Sequence, residues 1–222
     1  MEETIIKFLL KLANEEELKL PEKFIYDLKQ KESFDSLLQG ALNNKYENKK
    51  NVLIFLRSYE ILTNQIKVDA TVDSVKNLYF YMNQDTIKKE NLCYRDFDFA
   101  TKYKDIILKH PLSNSIKSYM NYDFKYDIDF FKKEKLQEKL TDLIFWRIAK
   151  LYEISPFAEN NLWFTIIYAV KLIQNITINT PNLENVLEIN FKEMLFFSSY
   201  EDIRAGIERK YDLLDSFINK LM

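Results

Sequence analysis

The sequence predicts an all-α helical bundle carrying one short β-hairpin. Three observations point there. The 222 residues include only 2 Gly and 4 Pro, where average usage of ~7% glycine would give about fifteen. Hairpin turns favour glycine at positive φ, so a fold built from many hairpins is disfavoured, and positions free to take positive φ are expected to be scarce. Most of the chain repeats its apolar residues at helical spacing, while one segment, 94–103, ends in polar–apolar alternation.

The elements follow in order. Residues 4–20 place Ile5, Phe8, Leu9 and Leu12 on one helical face. Pro21 stands where a second helix, 22–30, would start. Segment 33–42 carries Phe34, Leu37, Leu38 and Leu42, with Gly40 near its end. Segment 49–65 is amphipathic through Val52, Leu53, Leu56, Tyr59, Ile61 and Leu62. Thr71 is a capping residue for a helix over 71–82, whose stripe is Val72, Val75, Leu78, Tyr79 and Met82. The alternation Tyr94-Arg95-Asp96-Phe97-Asp98-Phe99 reads as a hairpin arm. His110-Pro111 ends that stretch, and 112–119 reads as a helix. The strongest helical stripe spans 132–153, with Leu136, Leu140, Leu143, Ile144, Ile148 and Leu151. After a loop, 162–174 is apolar nearly all round and is therefore central. Helical segments 183–189, 191–197 and 200–220 complete one domain over 1–222, with no repeat or linker dividing it.

Composition excludes several functions. One Cys rules out a disulfide framework or thiolate metal site, and one His rules out chemistry needing two imidazoles. Two glycines cannot supply a Rossmann or Walker phosphate loop. Basic and acidic residues nearly balance, 32 against 34, and short lysine pairs such as Lys49-Lys50 and Lys88-Lys89 lie among acids, so nucleic acid is not expected as a partner. The most apolar run, 162–170, is followed by Lys171, and a membrane span needs roughly 20 residues, so no membrane association is expected. Residues 1–13 include acidic Glu2 and Glu3 and no small-residue cleavage site. That reads as a cytoplasmic protein, or one exported without a classical signal peptide. Cys93, between Leu92 and Tyr94, is expected to be partly buried, and His110 in its loop is expected at the surface.

The segment Ser155-Pro156-Phe157-Ala158-Glu159-Asn160-Asn161-Leu162-Trp163 resembles the core motif of the Fic/Doc family, H-P-F-x-[DE]-G-N-G-R-x-x-R, at Pro156, Phe157, Glu159 and Asn161. Upstream, Phe34-Asp35-Ser36-Leu37-Leu38-Gln39-Gly40 resembles that family's inhibitory helix, [ST]-x-x-x-E-[GN]. The run from Asn51 to Glu60 resembles the helix that trails it, and Tyr94-Arg95 resembles the opening of the family's flap hairpin. The resemblance implies a Fic-like bundle with a hairpin flap. Residues 30–66 would form the inhibitory-type helix and its successor, 67–200 the core, and 201–222 a terminal helix.

What the resemblance implies for chemistry depends on each position. The motif His, a general base toward a target hydroxyl, is Ser155 here, and a serine is no base near neutral pH. Glu159 matches the acid that holds magnesium on the nucleotide phosphates. Asn160 stands for the first nest glycine and tolerates positive φ; Leu162 stands for the second and tolerates it poorly. Nucleotide, if held, would meet Phe157, Asn160, Asn161 and Trp163. The two phosphate-clamping arginines are Trp163 and Ile166, so the fork of charged donors is missing. The regulatory positions Asp35, Ser36, Gln39 and Gly40 lack the inhibitory glutamate, replaced by Gln39. Lys171 or Arg147 could approach the loop from neighbouring turns, although nothing in the spacing requires it. The resemblance thus implies a degenerate Fic-fold protein without standard AMP transfer, acting through a protein partner: an active Fic protein, a second copy of itself, or a former target. Trp163 and Phe164 would then fill the old pocket or close it. The alternative is a divergent enzyme transferring AMP or another phosphate-containing group to protein hydroxyls. No cofactor follows from the residues themselves; Mg2+ and ATP enter only with retained activity.

Overall fold

The computed structural model describes residues 2–125, 140–177, 181–201 and 208–221. Among these are ten α-helices: α1 (Glu3–Glu15), α2 (Glu22–Lys29), α3 (Phe34–Leu42), α4 (Lys49–Thr63), α5 (Val72–Asn83), α6 (Ile116–Asp123), α7 (Leu140–Ile154), α8 (Asn161–Thr177), α9 (Phe191–Ser199) and α10 (Asp212–Leu221). One antiparallel hairpin pairs β1 (Ala100–Tyr103) with β2 (Ile106–Lys109), Thr101 opposite Leu108. The fold is mostly helical with a small sheet, as the periodicity predicts. No helix among the described residues is long and apolar enough to cross a membrane.

Local chemistry sets the helix ends. Ser33, Thr71 and Asn190 each accept a hydrogen bond from the backbone N–H three residues on, at 3.2, 3.2 and 2.9 Å, satisfying one orphan donor of each first turn. Helix α8 is buried on every side from Asn161 to Ile173 and packs against α4, α5, α7, α9 and α10. Buried residues from α1 through α10 form a single apolar cluster around it.

Several boundaries differ from the sequence reading. Helix α1 stops at Glu15 rather than near residue 20, because Glu17 takes a left-handed conformation (φ 58°) and Leu18 N–H returns to Ala13 O at 2.8 Å. The alternating segment 94–99 is not strand; Arg95 N–H donates to Pro156 O at 2.9 Å instead. Its backbone is committed to the motif loop, and pairing begins at Ala100. Residues 183–186 form a single 3-10 turn, and the C-terminal helix begins at Asp212. The predicted stripe over 132–139 lies outside the described residues, as does 202–207.

The expected scarcity of positive φ is also corrected. Glu17, Lys31, Asn44, Asn48, Lys104, Ser155 and Asn160 all adopt it without being glycine. Three are asparagines, whose short side chain tolerates the region. Helix ends and turns that elsewhere take glycine are made here by polar residues. Cys93 is exposed rather than partly buried. His110 is 6% exposed rather than at the surface.

Candidate functional site

The loop 155–160 joins the C-terminus of α7 to the N-terminus of α8. Ser155 is the left-handed residue that ends α7 (φ 43°), with its N–H on Leu151 O and its hydroxyl donating to Tyr152 O at 2.6 Å. Asn160 takes the second left-handed position (φ 57°), as its asparagine chemistry predicts, and starts α8. Asn161 then clips the loop from inside. Its Oδ1 accepts from Phe157 N–H at 3.1 Å, and its Nδ2 donates to Phe157 O at 2.8 Å. Phe157 is locked by stacking on Tyr79, ring centroids 3.7 Å apart, with Phe164 edge-on at 5.3 Å.

Replacing Asn161 with Ala removes both clips and strands the buried Phe157 amide. That variant is expected to lose about 2 kcal/mol of stability, read as a drop in Tm of roughly 6 °C. An unchanged melting curve would mean the loop holds without Asn161.

A cavity of about 290 Å³ opens over this loop. Ser155, Ala158, Glu159, Asn160, Asn161 and Leu162 form one side; Glu15–Glu17, Phe99, Thr101, Tyr152 and Lys192 close it. Four of the residues placed at site positions by sequence, Ser155, Glu159, Asn160 and Asn161, therefore share one cavity. Phe157 and Trp163 do not line it. Both are buried, and Trp163 donates from Nε1 to Ser58 Oγ at 2.7 Å beside Phe55. The expected plug of Trp163 and Phe164 is absent from the cavity: both rings are drawn into the apolar core behind the loop.

Glu16 lines this cavity, and its carboxyl lies close enough to the backbone N–H of Trp163, in the first turn of α8, to feel its dipole. It is partly buried, and desolvation outweighs the Trp163 backbone dipole and the nearby Lys192, so its pKa is pushed up to about 7; Glu17 adds like-charge repulsion. Glu159 is exposed and ion-paired with Lys50. Lys192, the one cation in the lining, pairs with Glu17 at 3.6 Å, and its backbone N–H donates to Glu15 at 3.0 Å.

The regulatory positions lie elsewhere. Asp35, Ser36 and Gln39 are exposed, Gly40 is covered by Lys45 and Tyr46, and none lines the cavity. The cause is the facing of α3, which buries Leu37 and Ala41 and packs on α2 and α4. Lys171 and Arg147 do not approach the loop either. Lys171 donates to Asn64 O and Gln174 Oε1, and Arg147 sits over the Phe124 ring.

Sequence reasoning missed three participants. Arg95, 3% exposed, donates to the carbonyls of Phe97, Pro111, Ile154 and Ser155. His110 lies within 2.8 Å of Glu153 O through Nδ1 and 2.7 Å of Thr101 Oγ1 through Nε2. A carbonyl only accepts, so Nδ1 carries the proton and Nε2 receives the Thr101 hydroxyl. Burial holds the imidazole pKa below its usual value, in keeping with that neutral form. Glu16 is the third. Its signal was three consecutive acids closing α1, where the helix dipole disfavours negative charge.

Among the described residues no group of three or more His, Cys, Asp or Glu is arranged to hold a metal ion. No family model, curated protein or solved structure matches the chain.

Proposed function

We propose that the chain is a degenerate Fic-like scaffold that acts by binding another protein and does not carry out standard AMP transfer. One observation carries the reading. The cavity at the N-terminal end of α8, where the resemblance puts the phosphate nest, is lined by the protein's own Glu16. Around it in the lining stand Glu15, Glu17 and Glu159, with Lys192 as the cation among the described lining residues and Lys50 paired to Glu159 from outside it. A triphosphate entering there meets like charge in a partly desolvated space, without the charged fork that Trp163 and Ile166 replace. The lining fits a magnesium–nucleotide poorly, and the nearest imidazole already receives the Thr101 hydroxyl.

Titration of the protein with ATP, ADP or CDP-choline in the presence of Mg2+ is expected to leave its melting temperature unmoved. A saturable upward shift would overturn the reading. The second reading, a divergent transferase, is favoured by the openness of Glu159 to the cavity. It requires that labelled nucleotide modify a protein in lysate and that Glu159→Ala abolish the label. Absence of label with the parent protein removes it.

A further inference from the structure

We infer that the cleft between α7 and α10 docks a lysine- or arginine-bearing segment of a partner protein. The inference shares no residue with the loop cavity and does not rest on the Fic-like reading. Asp142, Phe145 and Trp146 stand at i, i+3 and i+4 on α7, hence on one face. Across from them, Tyr211, Asp212 and Asp215 line the other wall of an open space of about 500 Å³. Phe145 and Tyr211 meet edge to face at 5.7 Å, which fixes an aromatic floor. Trp146 is 43% exposed, and Leu213 beside the cleft is 39% exposed.

Charge decides the occupant. Among the described residues the lining holds three carboxylates and no cation. Among the described residues none of the three makes a salt bridge or side-chain hydrogen bond. The Lys150 ammonium, one turn along α7, is held by Glu153 at 2.8 Å and lies 4.7 Å from the Trp146 ring centroid. That contact is the protein's own instance of a cation on this indole. Uncompensated carboxylates flanking exposed aromatic faces favour an extended cationic side chain, whose methylene stem covers the rings while its head meets the acids. An acidic or nucleic-acid partner is disfavoured by the same carboxylates.

An oligoarginine peptide titrated into the full chain, followed by tryptophan fluorescence and calorimetry, tests this. Trp163 is fully buried, so a change in emission reports Trp146. Saturable binding is expected, weakened roughly tenfold in the Asp212→Asn/Asp215→Asn variant and by added salt. Glu15→Gln/Glu17→Gln, in the loop cavity, is expected to leave it unchanged. Both variants replace exposed or partly exposed carboxylates, and their melting curves check that they fold. No saturable binding overturns the inference. So does equal weakening by the Glu15/Glu17 variant, which would mean diffuse charge attraction. Equally tight binding of tetramethylammonium would make the cleft a small-cation site. A doubled mass in light scattering that the Asp212/Asp215 variant abolishes would make the occupant a second copy.

Discussion

Glu16→Gln is expected to raise the melting temperature above pH 7.5 and to change it little at pH 5. The folded-state pKa of Glu16 is about 7 against an ordinary 4.5, so between those values the folded chain holds a proton that the unfolded chain has released. Stability from this group is fully present below the unfolded value and is lost as pH rises through 7. The displacement corresponds to about 3 kcal/mol, or roughly 8 °C in a chain of this length. Glutamine imitates the protonated carboxyl without a charge to desolvate, so it retains the low-pH stability at every pH. His110, whose pKa is depressed by burial, acts in the opposite sense: its stability is present above its ordinary value and lost as pH falls. It is common to both proteins, so the difference between their curves of Tm against pH isolates Glu16. A variant less stable than its parent at pH 8 would show that Lys192 and the Trp163 N–H hold the carboxylate ionised.

Helix positions were legible where capping and period agreed. Thr71 caps α5 through Ser74, and the apolar run of α8 is buried on all sides. The left-handed Asn160 was legible too, because asparagine offers what the missing glycine would have supplied. The end of α1 was not. Residues 4–20 continue a helical pattern, and only the return of Leu18 N–H to Ala13 O selects Glu17 as the turning residue. That turn is a local left-handed helix closure at a residue that is not glycine, so no glycine marks it in the sequence, and it delivers Glu16 to the cavity. The facing of α3 was equally hidden, since its motif-like residues Asp35, Ser36 and Gln39 follow the chain order of the resemblance yet occupy the solvent side. Order along the chain says which residues a motif contains. Which side of a helix meets the loop depends on the partner against which Leu37 and Ala41 are buried.

Arg95→Ala is expected to be the most damaging single change at the base of the hairpin, lowering stability by about 3 kcal/mol and Tm by roughly 8 °C. The reason lies in what the guanidinium serves. Helix α7 ends with carbonyls that have no intrahelical donor, and Arg95 gives Nε to Ser155 O at 2.9 Å and Nη2 to Ile154 O at 3.4 Å. The same fork reaches Phe97 O and Pro111 O, both at 2.6 Å, and lies 4.8 Å from the centroid of Phe99. One buried cation thus joins the helix end, the segment entering the hairpin and the segment leaving it. Burial lowers its pKa, a sign that desolvation opposes the charge, so the carbonyls must make up that cost. Arg95→Met separates the contributions, since it keeps the apolar stem and removes the charge. Arg95→Lys keeps the charge but places its donors on one nitrogen, which cannot span carbonyls from three segments. The lysine variant is therefore expected to recover less than half of the loss. Hydrogen exchange adds a test of location: amides of Ala100–Tyr103 and Ile106–Lys109 should exchange faster in Arg95→Ala while those within α8 keep their order of protection. A lysine variant as stable as the parent would mean that a single carbonyl accounts for the effect, and the hairpin would then owe its position to His110, which stacks on Phe99 at 4.4 Å and holds Glu153 O.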